Sequence, residues 1–380
     1  MSIDVKNFRN RNPFKEINWK TCHKIVGCTH MHCIDDNVLQ SLFAAGLEFV
    51  TLSNYHPSAP WYPLAAMKKD QFKCRQKGYT FNGKYFNEEV DFAEKIESWK
   101  STLPLEVQKE LPFQAKELAF SNIPDNILEA PNAEHHKFSD CTPQFHITAP
   151  GTTFVSGHFD DRTEKFGLSE HGYAPGINLP WKEGFKRILD TLVIPDGGGI
   201  IINHPAWSYL RTDSLIEMLD FGPEVLGLEV FNGTSRKTYT DFSDFHWDNV
   251  LATGRQCYGF CAVDHPKNGE WNGRIIILTN DRSANGCLRA LRQGHFYGVI
   301  KGSGAAFEEI TFDGKRLYAR CNKEMFFQLI SKVGIAKYSS SKEFVYEIPE
   351  NERERHTFLR LTAHDFSTCE KLFAQPVILV

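Results

Sequence analysis

Ile25-Val26-Gly27-Cys28-Thr29-His30-Met31-His32 is the stretch from which the architecture can be read: an apolar run ending in two histidines spaced i, i+2. Side chains two apart on a strand leave the same face, so at a strand end both imidazoles can reach one cation. Ile25 to Thr29 reads as a strand, Asn37 to Ala45 as a helix stopped at Gly46, and Leu47 to Leu52 as the next strand. That is a βαβ opening whose two strands are expected to be parallel neighbours.

The alternation is interrupted and then resumes. A polar and aromatic insertion over about 57–125 is expected to cover one end of the core, with helices near Asn87 to Thr102 and Leu105 to Ala119. Strands follow near Ile127 to Ala130, Phe145 to Thr148, Gly199 to Asn203, Gly227 to Phe231 and Tyr258 to Ala262. Helices fit near Trp181 to Leu192, Thr212 to Leu219, Thr240 to Ala252 and Ala284 to Gln293. Such alternation predicts an α/β fold with a closed or doubly wound parallel sheet and its chemistry at the carboxyl ends of the strands. Beyond about residue 296 the period changes to 2, as in Phe307-Glu308-Glu309-Ile310 and Phe358-Leu359-Arg360-Leu361. The expected organisation is therefore residues 1–297 as the first domain and 298–380 as a small antiparallel β-sandwich.

Composition excludes some functions. The chain has 380 residues, 41% of them apolar, enough for a sizeable core, and its net charge of −4 offers no basic track for a nucleic-acid backbone. It has neither an apolar leader among its first 25 residues nor a run of about 18 apolar residues, so a soluble cytoplasmic protein with no membrane partner is expected. The 10 cysteines form no CxxC pair, which fits reduced thiols. Cys28 and Cys33 flank the histidine pair and read as buried small side chains.

Polar side chains gather where the strands end. Strand one delivers His30 and His32, with Asp35 and Asp36 beyond. Others run into Ser53-Asn54-Tyr55-His56, Asn132-Ala133-Glu134, Asn203-His204-Pro205, Glu229-Val230-Phe231-Asn232 and Val263-Asp264-His265, while another segment begins Phe145-His146. Each residue alone could be a cap, but the set is improbable as coincidence. Imidazole with carboxylate suits Zn, Mn or Fe, whereas Mg or Ca prefers an all-oxygen shell. Several ligands imply more than one divalent ion; Glu134 is placed to bridge, and a bridging water becomes a hydroxide nucleophile near neutral pH.

This ordered set resembles the PHP (polymerase and histidinol phosphatase) domain over about residues 20 to 300. It includes Gly46 to Ser53, Glu134, His146, Asn203-His204-Pro205, Glu229 to Asn232, Gly259 to His265, and Leu288 to Tyr297. The resemblance implies a distorted seven-stranded (β/α)7 TIM-like barrel with a C-terminal β-domain, a two- or three-metal centre, and hydrolysis of phosphate esters. Carried over, His30, His32, Glu134 and Asp264 bind a first metal, and Asp35, His146, His204 and His265 complete the others. Glu134, Asp264 and His265 then form the catalytic group, while Arg236, Lys237 and Tyr55 contact the substrate phosphate, unless the basic pair is simply solvated.

The chain departs from the pattern at Asn54-Tyr55, where the family has Asp-His. Either His56 substitutes or this corner holds no metal, leaving two ions. Asp264-His265 lacks the usual intervening residue, Asp35 and Asp36 are interchangeable, and His146 is preferred over His158. His135 and His136 read as surface or supporting residues, Ser53 lacks a nucleophile's partners, and Gly197-Gly198-Gly199 precedes a strand and is a turn. The expected function is a metal-dependent phosphoesterase for a small phosphorylated metabolite. The alternatives are a non-catalytic binding protein on a degraded barrel and a metal hydrolase of a carbamate or amide.

Overall fold

The computed structural model describes residues 8–33, 36–54, 64, 75–81, 84–91, 101, 105–110, 122–156, 176–235, 239–266, 271–302 and 304–380. They fall into two compact units, Thr29–Asn203 with Asp264–Glu270, and Met1–Cys28 with His204–Val263 and Trp271–Val380.

In the first unit the helix Asp36–Ala44 buries Leu39 and Leu42 on one face. The strands Phe49–Val50 and Leu128–Glu129 pair in parallel, as the alternation predicts. Glu134–His135, Ile147–Thr148 and Ile200–Ile202 instead form an antiparallel trio, with Glu134 opposite Thr148 and Ile147 opposite Ile202. The link from His135 to Ile147 is too short for the crossover that parallel neighbours need. Behind these strands the helix Trp181–Leu189 buries Trp181, Phe185 and Ile188. Phe138 and Phe145 stack at 4.6 Å against its Phe185.

Part of the insertion differs from expectation. Arg75–Phe81 and Lys84–Asp91 pair antiparallel, with Phe81 opposite Lys84, where a helix from Asn87 was expected. The sequence carried the signal: an Asn82-Gly83 dipeptide between two β-prone runs favours a two-residue hairpin. The helix Leu105–Glu110 begins where predicted.

The second unit holds a parallel pair, Val225–Asn232 with Tyr258–Ala262, and the helices Thr212–Leu219, Asp244–Leu251 and Ala284–Gln293. The last helix is capped at its start by the Ser283 side chain, which accepts from Gly286 N–H, and ends at left-handed Gly294. A large antiparallel sheet runs, strand beside strand, through Phe307–Phe312, Arg316–Ser331, Phe358–Asp365, Glu370–Ala374, Phe296–Ile300, Gly273–Thr279 and His23–Cys28. Gly334–Glu347 pairs with both ends of Arg316–Ser331, the register breaking between Arg320 and Met325 and again between Leu329 and Ile330. The sheet encloses Phe307, Leu317, Phe327, Phe344, Leu361 and Leu372.

The fold is thus mixed α/β with large sheets. Among the described residues neither unit closes its strands into a seven-stranded barrel, because antiparallel neighbours replace the strand–helix–strand repeat that a barrel requires. The C-terminal strands are antiparallel as expected, yet they belong to one continuous sheet, not to two separate layers. Also among the described residues, every cysteine is a free thiol and no helix is long and apolar enough to cross a membrane.

Candidate metal centre

The first unit converges on two carboxylates. Met31 and Asp264 form an isolated parallel bridge: Asp264 N–H donates to the His30 carbonyl at 3.0 Å, and His32 N–H donates to the Asp264 carbonyl at 2.6 Å. Asp264 adopts the left-handed region, φ 64°, which short polar Asp tolerates better than most residues. On the other side Ser53 N–H donates to the Met31 carbonyl and Glu134 N–H to the Ser53 carbonyl, both at 2.9 Å. Buried Asn132 ties these segments together: Nδ2 faces the Thr29 carbonyl at 3.0 Å and Ser53 Oγ at 2.9 Å, while Oδ1 accepts from Ala149 N–H at 2.9 Å. Ser53 is thereby occupied as a structural residue, which agrees with its lack of a nucleophile's partners.

The side chains meet at Glu134. Its Oε2 lies 2.9 Å from His32 Nε2 and 2.8 Å from His136 Nε2; its Oε1 lies 3.4 Å from His30 Nε2 and 3.3 Å from His146 Nδ1. Asp264 Oδ1 is 3.4 Å from His30 Nε2, 3.7 Å from His32 Nε2 and 3.4 Å from His265 Nε2. The Nε2 atoms of His30 and His32 approach to 3.1 Å. Two imidazole lone pairs aimed at one point need a proton or a cation between them. Donor separations of 2.9–3.7 Å bracket the edge of about 3.3–3.4 Å expected for a tetrahedron of ligands at 2.0–2.1 Å from a transition metal. The residues therefore fit a metal ion. Within this unit they include two donor sets, His30–His32–Asp264 and Glu134–His136–His146, joined by the 3.4 Å approach of His30 to Glu134.

The electrostatics match. Burial alone would raise the Glu134 carboxyl, but His136, His30 and His146 outweigh it and hold it well below the usual carboxylate range. Burial acts likewise on Asp264, and His30, His265 and His32 pull it down to about 2. His265 is pushed down to about 4, by burial first and then by His32, so at neutral pH it offers a lone pair. Half-exposed, it stacks on the His32 ring at 4.5 Å. The missing residue between Asp264 and His265 does not stop the two from converging.

Two participants escaped the sequence reading. His136 was read as a surface or supporting residue, yet it is 1% exposed and touches Glu134, with its ring 4.0 Å from that of His146. Its signal was the i, i+2 spacing from Glu134, the same spacing that singled out His30 and His32. Asn203 donates from Nδ2 to Glu134 Oε1 at 3.0 Å. His135 points the other way, Nδ1 to Ser156 Oγ at 2.9 Å. Asn54 turns its Nδ2 to the Cys33 carbonyl at 3.1 Å, a backbone role. His204 N–H donates to Glu229 Oε2 at 2.8 Å. Asp35, Tyr55, His56, His158, Arg236 and Lys237 lie outside the described residues.

No family model matches the chain, and no curated protein resembles it. Among solved structures, it is similar to a two-domain protein of Bacteroides vulgatus containing a predicted PHP-like metal-dependent phosphoesterase, at 12% identity and a TM-score of 0.40 over 94% of each chain. That likeness is too distant to assign fold or chemistry. The geometry defines the class at the level of a buried histidine–carboxylate cluster suited to divalent metal.

Proposed function

We propose that the protein is a metal-dependent hydrolase, most specifically a phosphoesterase acting on a small phosphorylated molecule. The observation that carries this reading is the convergence of His30, His32 and Asp264 with Glu134, a donor set of mixed imidazole and carboxylate that suits Zn, Mn or Fe. The sets His30–His32–Asp264 and Glu134–His136–His146 would each hold one divalent ion. When bound, such ions supply Lewis acidity for a phosphoryl oxygen and activate water near neutral pH.

The protein's own groups do the rest. Asn203 fixes the Glu134 carboxylate so that both oxygens stay aimed into the cluster. The backbone bridge between Met31 and Asp264 holds the His30–His32 edge against the aspartate. His265, neutral and half-exposed beside Asp264, is suited to moving a proton at the solvent side of the centre. A cytoplasmic setting for the free thiols belongs to the same proposal.

The test is metal analysis of the purified protein together with hydrolysis of a panel of phosphomonoesters and phosphodiesters, alongside carbamates and amides. Stoichiometric transition metal with phosphoester turnover supports the reading. Protein that takes up no transition metal, or cleaves no phosphoester, removes it.

A further inference from the structure

The second unit holds an arginine, Arg274, whose buried Nε has no hydrogen-bond partner among the described residues. Arg274, on the strand Gly273–Thr279, lies half-buried over the face of Trp271 at 5.1 Å. Its Nε and the Trp271 Nε1 are both shut off from solvent with no hydrogen-bond partner among the described residues. Guanidinium and indole nitrogens are donor-only groups, so what would satisfy them is an acceptor. A buried donor left unmatched is disfavoured, and here two such donors sit on residues whose guanidinium and ring pack together.

The guanidinium head faces a glycine-rich turn. A Cβ placed on Gly302 would come within 1.6 Å of Arg274 Nη2, so only glycine allows this approach. Lys301, Gly302 and Gly304 all have positive φ, and the N–H of the exposed Lys301 donates to the carbonyl of Asn272, between Trp271 and Arg274 in sequence, at 3.0 Å. The nearby carboxylate is already engaged: Glu370 accepts from Ala305 N–H at 3.1 Å and from Lys323 Nζ at 3.2 Å. Its charge reaches Arg274 only through space, opposing the burial that pushes the guanidinium down.

We infer that Arg274, Trp271 and the Lys301–Gly302 turn form a binding site for a phosphoryl-type oxyanion, separate from the metal centre. The guanidinium supplies a two-pronged fork, the indole a third donor, and Lys301 a second positive charge. A tetrahedral dianion has enough oxygens and charge for all of these, whereas a carboxylate presents only two oxygens.

The experiment is calorimetric titration of the full-length protein with inorganic phosphate, and separately with acetate, for the parent, Arg274→Gln, Trp271→Phe and His30→Ala. The His30 variant lowers phosphate binding that depends on the metal centre, and repeating the titrations with excess chelator removes the rest. The expected result is a phosphate-binding event shared by the parent and His30→Ala, and weakened about tenfold or more in Arg274→Gln. Trp271→Phe keeps the stacking and loses only the N–H, so a smaller loss is expected. Arg274→Gln that binds phosphate like the parent, or acetate binding as tight as phosphate, overturns the inference. Should Arg274→Gln fail to fold, crystals of the parent soaked in tungstate decide: an anomalous peak against Arg274 supports the site, and its absence there rejects it.

Discussion

Asn203 holds Glu134 in place: its Nδ2 donates to Oε1 at 3.0 Å, while its own Oδ1 accepts from the N–H and the hydroxyl of Thr148, both at 3.1 Å. Asn203 N–H also donates to the His146 carbonyl at 2.9 Å, so one residue positions two of the candidate ligands. Asn203→Ala is expected to weaken metal affinity roughly 10–100-fold. It should also cost about 1–3 kcal/mol of stability through the orphaned Thr148 donors. Competitive metal titration and urea unfolding measure the two effects; unchanged metal affinity would show that the carboxylate needs no such support.

His30→Ala and His136→Gln separate the two donor sets. The first opens the His30–His32–Asp264 group and the second the Glu134–His136–His146 group, so each variant should retain one ion fewer than the parent by elemental analysis. Phosphoester turnover should fall at least about a hundredfold in His30→Ala, since loss of a direct ligand exceeds the effect of losing its support. If His136→Gln keeps the full metal complement, His136 only supports Glu134 through its 2.8 Å contact.

The depressed carboxyls predict an acid limb in chelator-stripped protein. Asp264 falls from its ordinary 3.8 to about 2 on folding, so it stabilises the native state above the unfolded value. That contribution disappears as pH falls from about 4 through about 2, and it is on the order of 2 kcal/mol. Glu134 shifts in the same direction. Asp264→Asn should therefore flatten the pH dependence of unfolding in this window. A variant with the parent's slope would mean that Asp264 is not held ionised by His30, His265 and His32.

Stability of the second unit should depend on Arg9. Its guanidinium, 5% exposed, donates to the carbonyls of Val225 at 2.5 Å, Leu219 at 2.7 Å, Gly222 at 3.0 Å and Gln256 at 3.3 Å. Arg9→Met keeps the bulk but leaves these acceptors unmatched, at an expected cost of about 3 kcal/mol or more by chemical denaturation. A loss below about 1 kcal/mol would indicate that water replaces the guanidinium.

Much of the local structure was legible. Tyr258 to Ala262, Thr212 to Leu219 and Ala284 to Gln293 occur with the bounds the periodicity predicts, the last also marked by Ser283 at its start and Gly294 at its end. The hairpin Arg75–Phe81/Lys84–Asp91 stands where a helix was expected, although Asn82-Gly83 between two β-prone runs announces it. Strand direction was not legible at Glu134–His135 and Ile147–Thr148, two residues each, which pair antiparallel. Two residues carry no period, so pairing and direction come from the rest of the fold.

By itself the sequence determined the kinds of ligand and their spacing: two histidines on one strand face, a glutamate and an aspartate after apolar runs, and glycines at the helix ends. Those are properties of a few consecutive residues, set by backbone geometry and side-chain chemistry. Only the tertiary structure decided that His136 faces Glu134 while His135 faces Ser156, and that Asn54 serves the Cys33 backbone. It also decided that Asp264 closes against His30 across more than two hundred residues of chain. Such convergence depends on the register of distant segments and on which face each one buries, and short-range pattern does not encode either.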